Sequence, residues 1–249
     1  MTRLRSFAFS VFLLLGTPLI AIVYSPCLFF GERGAYVSAR HWAKLMLGAL
    51  KALCGVEMRV EGREYIPEGA AIVACNHQSM WETIALYAIL PAPVMAFKRE
   101  LLNNPVYSLW GKHAGIAVDR DGGPRALRDL VSQAEAHLAR GKQIVLFPEG
   151  TRRPVGRLGA FQPGVAAIYK AVGASCTPAA HNSGAHWLYP GPLKVPGAIT
   201  IRFLPAIAPG ENRKTMLAQL EKQIGDACAR LPDGDPPDPA PQTHTPARA

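Results

Sequence analysis

The 249-residue chain lacks several patterns that mark common enzyme and metal-binding classes. It has no C-x-x-C pair and an odd number of cysteines, five, so we expect neither a disulfide framework nor a structural zinc site, and a reducing compartment fits best. No G-x-S-x-G elbow is present, which disfavours a serine hydrolase. Acidic residues are also scarce: 18 Asp and Glu face 27 Lys and Arg, a formal net charge of +9. This excess points to an anionic partner, such as a phosphorylated substrate, a membrane surface or nucleic acid.

A long uncharged run stands near the start of the chain. It covers residues 6–30 and follows Arg3 and Arg5. About 20 apolar residues in a helix suffice to cross a bilayer, and the absence of a small-residue cleavage site favours an uncleaved anchor over a signal peptide. Pro18 and Pro26 can kink or end a helix, so a segment that dips into one side of the membrane stays open beside a straight span.

A second helical pattern follows in ARHWAKLMLGALKALCG, residues 39–55. Its apolar residues recur at helical spacing and its basic residues fall largely on the other side, which is typical of a helix in a membrane interface. The alternative is that the apolar stripe packs on the core of the domain. Basic residues soon after the uncharged run indicate a cytoplasmic side. We therefore expect residues 1–54 to associate with the inner (cytoplasmic) membrane, with the active site facing the cytoplasm.

The body of the chain, residues 55–231, alternates short apolar runs with helical patterns. Strands are predicted at 57–60, 71–74, 94–97, 116–118, 144–147, 176–180 and 199–203. Helices are predicted at 79–90, 104–112, 124–140, 164–171 and 212–231. The alternation predicts an α/β domain with a mostly parallel sheet flanked by helices. Residues 232–249 contain six prolines and no large apolar side chain, so we expect a disordered tail.

Polar stretches follow four of the predicted strands. They are NHQSMWE (76–82), DRD (119–121), FPEGTR (147–152) and HNSG (181–184). In a parallel sheet, ligands gather beyond the carboxyl ends of the strands. If the four strands run parallel, all four stretches face one cleft, and a strand that ran antiparallel would remove its stretch from the site.

The first stretch carries a histidine and a carboxylate five residues apart. Ser79 and Glu82 fit the S-x-x-E capping box of a helix start, which explains the glutamate but not His77. A neutral imidazole can act as a general base near pH 7, and a carboxylate can fix its tautomer and stabilise the imidazolium as it forms. The two roles of Glu82 are compatible. Since no serine or cysteine stands in a catalytic context, His77 would activate a hydroxyl of the substrate.

The basic residues of the other stretches suggest a phosphate site. The planar guanidinium groups of Arg120 and Arg152 match phosphate oxygens, and backbone donors of the turn at 149–151 could add to them. Lys98 extends the positive rim. The basic residues lack interleaved aromatics on a recognisable platform, so no nucleic-acid partner is expected.

NHQSMWE, GIAVDR, FPEGTR and TPAAHNSG resemble the four ordered motifs of the 1-acylglycerol-3-phosphate acyltransferases, within the glycerolipid acyltransferase superfamily. The resemblance runs from His77 to Gly184. It implies a glycerol-3-phosphate acyltransferase-like fold. It also implies transfer of an acyl group from acyl-CoA or acyl-[acyl carrier protein] to the sn-2 hydroxyl of lysophosphatidate at a membrane, giving phosphatidate. It implies no cofactor, no metal and no covalent acyl-enzyme.

The resemblance also implies roles for individual residues. His77 would be the base and Glu82 its acidic partner. The residues expected to bind the substrates are Arg120, Glu149, Gly150, Thr151, Arg152, Lys98 and Pro178. Pro178 is the proline of the fourth motif, whose HNSG end would line the acceptor or acyl side.

The sequence departs from the family pattern in two places. The family usually has Asp where this chain has Glu82, and its fourth motif is usually more aliphatic than SCT (175–177) before the proline. Two alternatives stay open at this point. One is an acyltransferase that acts on another lysolipid acceptor, and the other is a non-catalytic lipid-binding protein of the membrane surface.

Overall fold

The computed structural model describes residues 1–118 and 123–231, and the predicted tail at 232–249 lies outside them. One sheet of seven strands forms the centre of the molecule. The strands are β1 Val56–Glu61, β2 Ala71–Cys75, β3 Pro93–Lys98, β4 Gly115–Val118, β5 Gln143–Leu146, β6 Cys176–His181 and β7 Gly197–Phe203. Each strand predicted from the sequence is confirmed, with ends that differ by at most two residues.

Eight α-helices surround this sheet in the described part of the chain. They are α1 Thr2–Tyr24, α2 Gly31–Cys54, α3 Trp81–Ile89, α4 Pro105–Ala114, α5 Gly123–Leu138, α6 Pro163–Val172, α7 Ser183–His186 and α8 Arg213–Cys228. Short 3-10 helices occupy Ser25–Phe30, Arg63–Tyr65 and Arg99–Asn103. The five helices predicted for the body of the chain are confirmed, and the short α7 was not predicted.

Strand direction decides which loops can share a site. The strand order is β1-β7-β6-β2-β5-β3-β4. From β6 to β4 all neighbours are parallel, while β7 is antiparallel to β6 and β1 is parallel to β7. The mostly parallel sheet is therefore confirmed. Because β2, β4, β5 and β6 point the same way, the four polar stretches all follow strands that end at one edge of the sheet.

The two faces of the sheet bury separate cores. Ile72 and Ala74 of β2 contribute to one core together with α5, α6 and α8. Val73 and Cys75 point to the opposite face and join the core under α2 and α3. Successive strand residues alternate between faces, so a strand buried on both sides must be apolar throughout. All five residues of β2 are buried, which holds the stretch that follows it at a fixed position.

Helices α1 and α2 form an antiparallel hairpin against the second core. Trp42 Nε1 of α2 donates to Thr17 Oγ1 of α1 at 3.1 Å. The apolar stripe of α2 contributes Ala43, Met46 and Leu50 to the core, each at most 1% exposed. Burying a leucine or methionine contributes roughly 1.5–3 kcal/mol, so these contacts hold α2 firmly on the domain. Of the two alternatives for this stripe, packing on the core is the one that the structure shows.

Helix α1 contacts the domain mainly through its first half. Its buried residues are Ser6 and Phe9, and it continues through Pro18 to Tyr24. Much of its outer surface is apolar and exposed. The exposed large apolar residues of α1 are Leu4, Phe7, Val11, Phe12, Leu14, Leu15, Leu19, Ile22 and Val23. By length and composition alone, Thr2–Cys54 is the one candidate membrane segment of the described residues, and an 18-residue window within it has a mean hydropathy of 2.2.

Candidate active site

The polar stretch after β2 folds back on the start of α3. Ser79 Oγ accepts a hydrogen bond from the Trp81 N–H at 2.9 Å, and Glu82 Oε1 accepts one from the Ser79 N–H at 3.0 Å. Glu82 Oε1 also accepts from the Gln78 N–H at 2.9 Å. The capping box is therefore present, and it turns the Glu82 carboxylate toward the loop that precedes the helix.

His77 and Glu82 form a close pair at this corner. His77 Nδ1 lies 2.7 Å from Glu82 Oε1, and the side chains are 15% and 0% exposed. The Phe147 ring stacks on the imidazole, with centroids 4.3 Å apart and planes 22° from parallel. No described residue forms a hydrogen bond with His77 Nε2. An ionised Glu82 can only accept a hydrogen bond, so His77 Nδ1 must carry the ring proton and donate it. Nε2 is then unprotonated and can accept a proton from a substrate.

The second oxygen of Glu82 is held by two hydroxyl groups. Ser79 Oγ and Ser183 Oγ each lie 2.9 Å from Glu82 Oε2, and they lie 2.8 Å from each other. Burial acts to raise the pKa of Glu82, but the rings of His181 and His77 and the Ser79 N–H outweigh it and lower the pKa to about 2. The carboxylate is therefore ionised at neutral pH although it has no contact with solvent.

His181 closes the network from β6. Its Nε2 donates to the Asn76 carbonyl at 2.8 Å, and its Nδ1 accepts from the Ser183 N–H at 3.1 Å. Burial lowers the pKa of His181, with Glu82 acting in the opposite direction, and the two hydrogen bonds fit a neutral ring. The side chains of His181, Asn182 and Ser183 are all at least 97% buried. The HNSG stretch thus lies behind the His77–Glu82 pair, and its contact with substrate stays a prediction.

Glu149 joins His77 to the loop that follows β5. Its Oε1 accepts from the His77 N–H at 2.9 Å, and its Oε2 accepts from the Gly159 N–H at 2.8 Å. The residue is 2% exposed, and burial raises the pKa of Glu149 against these two donors. Both carboxylate oxygens are thus occupied by backbone groups. Gly150 has a φ of 68°, which favours glycine, and its N–H donates to the Phe147 carbonyl at 3.0 Å.

Arg152 lies beside the pair with part of its guanidinium open. Its Nε donates to the Ser79 carbonyl at 2.9 Å, and its Cζ lies 4.7 Å from the centre of the Tyr189 ring. None of the ion pairs of the described residues includes Arg152. The two terminal nitrogens are therefore available for an anion. The guanidinium is bonded through Nε to the carbonyl of Ser79, which is two residues after His77 in the chain.

The other residues expected at the site are spread more widely. Thr151 is exposed next to Arg152. Lys98 is exposed at the end of β3, which is parallel to β5, so it lies at the same edge of the sheet. Pro178 is buried within β6 opposite Ala74 of β2. Arg120 lies outside the described residues. The structure thus brings His77, Glu82, Glu149 and Arg152 together.

The contacts of three residues were not predicted from the sequence. Phe147 and Ser183 lie in two of the four polar stretches, but the stacking of Phe147 on His77 and the bond from Ser183 to Glu82 carry no local signal. Tyr189, which is 37 residues from Arg152, lies in none of the four stretches. In each case the partners meet only once the strands and loops have assembled.

Comparison with known proteins places these observations in a family. The profile of the Acyltransferase family matches residues 57–182. The chain is 33% identical over 207 residues to the 1-acyl-sn-glycerol-3-phosphate acyltransferase of Pseudomonas aeruginosa, which covers 82% of this chain and 79% of the relative. It is 30% identical over 142 residues to the human 1-acyl-sn-glycerol-3-phosphate acyltransferase alpha, which covers 53% of this chain and 48% of the human protein.

A solved structure shows the same fold. The crystal structure of the 1-acyl-sn-glycerophosphate (LPA) acyltransferase PlsC from Thermotoga maritima aligns with a TM-score of 0.77 at 20% identity. The alignment covers 93% of this chain and 99% of that one. Since the profile spans half of the chain and the bacterial relative is similar over most of its length, the chain belongs to the 1-acyl-sn-glycerol-3-phosphate acyltransferase family.

Proposed function

We propose that the protein transfers an acyl group from acyl-CoA or acyl-[acyl carrier protein] to the sn-2 hydroxyl of 1-acyl-sn-glycerol 3-phosphate, giving phosphatidate. The observation that carries the proposal is the His77–Glu82 pair at 2.7 Å, together with the Arg152 guanidinium that is bonded to the carbonyl of Ser79 in the same loop. A base and an anion-binding group at one corner of the sheet fit an acceptor that has a hydroxyl and a phosphate. The names of the two relatives agree with this acceptor.

The geometry supports one sequence of bond changes. His77 Nε2 removes the proton from the sn-2 hydroxyl as the hydroxyl oxygen attacks the carbonyl carbon of the thioester. The new C–O bond forms, the C–S bond breaks, and the sulfur leaves as a thiolate that takes the proton back from the imidazolium. Glu82 remains ionised throughout, because it fixes the Nδ1 proton and stabilises the positive ring that exists between these steps.

Arg152 supports binding of the acceptor's phosphate. A guanidinium fork gives two parallel charge-assisted hydrogen bonds to phosphate oxygens, and its geometry fixes the bound group in direction as well as distance. Lys98 at the end of β3 and Arg120 after β4 would add positive charge around the same group. Holding hydroxyl and thioester together removes up to about 7–11 kcal/mol of the barrier when the placement is ideal.

The protein would lie at the inner membrane with the active site toward the cytoplasm, and the N-terminal hairpin supports contact with a membrane. Both ends of α2 contact the domain: Glu32 forms ion pairs with Arg140 and with Lys142, the latter at 3.1 Å, and Cys54 is buried in the core. A helix that lies against the domain over its length does not cross a bilayer. We propose that α1, antiparallel to α2, dips its exposed apolar side into one leaflet and brings the site to its lipid substrates.

A panel of acceptors tests the proposed function. Purified protein in detergent is given one labelled acyl thioester, as the CoA ester or on acyl carrier protein in separate arms, together with lysophosphatidate, other lysophospholipids or monoacylglycerol. We expect kcat/KM to be highest for lysophosphatidate and at least about tenfold above monoacylglycerol, since the latter leaves the arginine fork unpaired. A preference for the phosphate-free acceptor would contradict the acceptor assignment. Lipid binding without turnover on any acceptor would favour the non-catalytic alternative.

A further inference from the structure

A closed loop after α7 connects two parts of the molecule that otherwise lie apart. Trp187 and Lys194 form an antiparallel bridge at its base, and the Leu188 N–H donates to the Leu193 carbonyl at 3.0 Å. Residues 187–194, called the 187–194 loop below, therefore have a defined base and a defined tip. Tyr189 is carried at the tip.

The tip contacts the active site. The Tyr189 ring lies under the Arg152 guanidinium, 4.7 Å from Cζ to the ring centre, and Tyr189 is 51% exposed. One face of this half-exposed ring is thus in contact with the Arg152 guanidinium. The ring and the Ser79 carbonyl hold the guanidinium from two directions, which restricts a side chain that would otherwise be free to rotate.

The base of the loop is held by helix α1. Lys194 is 2% exposed, and its Nζ donates to Ser10 Oγ at 2.9 Å while lying 5.1 Å from the centre of the Phe9 ring. Ser6 Oγ accepts from the Lys194 N–H at 2.9 Å. The Nζ also lies 4.7 Å from the centre of the Trp187 ring. The stabilising partners of this buried ammonium thus come from α1 and from the loop's own indole.

Within residues 1–118 and 123–231, no carboxylate takes part in holding this ammonium. None of the ion pairs of the described residues includes Lys194. A buried charge without a counterion depends on every hydrogen bond and aromatic contact that it makes. The position of the loop base is therefore sensitive to the position of α1.

We infer that the 187–194 loop positions the guanidinium of Arg152 for the acceptor's phosphate, and that α1 positions this loop through Lys194. The inference rests on the proposed phosphate-binding role of Arg152. Tyr189 is then a positioning residue that acts through Arg152, and Lys194 is a second one that acts through the loop. Acceptor binding would depend on the same helix whose outer side is apolar and exposed.

Kinetics of variants at the tip test the first half of the inference. In Tyr189→Ala, the KM for lysophosphatidate is expected to rise about three- to tenfold. This rise corresponds to the binding free energy that a cation–π contact of this kind contributes. The KM for the thioester and kcat should change less than about twofold. Tyr189→Phe keeps the aromatic face and should restore the acceptor KM. Tyr65→Ala, an exposed tyrosine beyond the end of β1, is the matched control.

A double variant distinguishes positioning from a general loss of structure. In the Arg152→Ala background, Tyr189→Ala should cause no further rise in the acceptor KM, because its effect passes through the guanidinium. An additive rise would overturn the inference, as would an unchanged KM in Tyr189→Ala alone while Arg152→Ala raises it. If Arg152→Ala itself left the acceptor KM unchanged, the proposed phosphate role would fail instead, so the two failures are distinguishable.

Variants at the base test the second half. Lys194→Met keeps most of the buried stem and removes the ammonium, and Ser10→Ala removes only the hydroxyl that receives its hydrogen bond. Both should raise the acceptor KM, by less than Tyr189→Ala does, and neither should do so in the Tyr189→Ala background. If Lys194→Met fails to fold, Ser10→Ala alone tests whether α1 positions the loop. A folded Ser10→Ala protein with the parent acceptor KM would overturn the role of α1.

Discussion

The two halves of the active site are built in opposite ways. On the side of the base, Glu82 is completely buried and both of its oxygens receive hydrogen bonds from the protein. On the side of the phosphate, Arg152 keeps its terminal nitrogens open and is held only at Nε and on one face. In the proposed mechanism, the difference means that the proton-transfer geometry is complete before substrate arrives, whereas acceptor binding would depend on loops that other parts of the molecule hold in place.

Different strands support the two halves. His77 and Glu82 follow β2, and their partner Ser183 follows β6. These two strands are neighbours in the middle of the sheet. Arg152 follows β5 in a loop whose path depends on the hydrogen bond from Gly159 to Glu149. Substitutions on the first side should therefore change kcat, and substitutions on the second side should change the acceptor KM.

The largest effect is expected from removing the base. His77→Ala should lower kcat by about a thousandfold, within the range that general base catalysis contributes. The free energy of unfolding should fall by roughly 1.5–3 kcal/mol, since the hydrogen bond from His77 to the buried Glu82 carboxylate is lost while the other donors to that carboxylate remain. Turnover of a labelled thioester and the thermal midpoint measure the two quantities. His41→Ala, an exposed histidine on α2, is the control, and full activity of His77→Ala would contradict the role.

A smaller effect is expected from shortening the carboxylate. Asp at position 82 cannot reach both His77 and Ser183, so Glu82→Asp should lower kcat by about ten- to a hundredfold. Ser183→Ala removes one hydroxyl from Oε2 and should lower kcat by about three- to tenfold, since a hydrogen bond to a charged group contributes roughly 1.5–3 kcal/mol in full.

The combination of these two changes decides whether the hydroxyl acts through the carboxylate. In the Glu82→Asp background, Ser183→Ala should have little further effect on kcat. Ser132→Ala, an exposed serine on α5, is the control. Fully additive effects of Glu82→Asp and Ser183→Ala would show that Ser183 acts elsewhere.

The phosphate side should respond to a change of shape at constant charge. Arg152→Lys keeps the positive charge but loses the fork and most of the stacking on Tyr189. The KM for lysophosphatidate should rise about tenfold with kcat nearly unchanged, as measured from initial rates. Arg63→Lys, at the opposite edge of the sheet, should leave both constants as they are. A fall in kcat with an unchanged KM would contradict the assignment of Arg152 to acceptor binding.

The smallest effect concerns stability in mild acid. The pKa of Glu82 is lowered from 4.5 to about 2, so its contribution to stability is complete above about pH 4.5 and is lost as the pH falls toward 2. Between pH 6 and pH 4 this loss amounts to about 1 kcal/mol of the free energy of unfolding. Denaturant titrations at both pH values give the free energy of unfolding of the parent chain and of Glu82→Gln. The difference between their acid losses is the contribution of Glu82. An equal acid loss in the two proteins would refute the assignment.

Much of the fold could be predicted because its signals are local. β2 and β5 are short apolar runs bounded by polar residues, and the helices between strands have clear apolar periodicity. The reversal of β7 could not be predicted, because GAITIRF has the same strand pattern in either direction. The location of the apolar stripe of α2 could not be decided either, since a membrane surface and a protein core select the same helical amphipathicity.

The contacts of the site also divide into those between residues close in sequence, which could be predicted, and those between distant segments, which could not. His77, Ser79 and Glu82 lie within six residues, so spacing alone suggested their association. The contact of Ser183 with Glu82 and that of Tyr189 with Arg152 depend on how distant segments pack. The family resemblance implied that Glu149 binds substrate. The structure shows both of its oxygens bonded to backbone N–H groups, and contact of Glu149 with substrate stays a prediction.

The attachment of Lys194 to α1 has a practical consequence for preparing the enzyme. Deleting α1 removes an exposed apolar surface and is an obvious route to a water-soluble protein. It would also strip Ser10 and Phe9 from a buried ammonium and open the edge of Trp187 to water. If the 187–194 loop positions Arg152 as proposed, deleting α1 would gain solubility and weaken binding of the acceptor's phosphate.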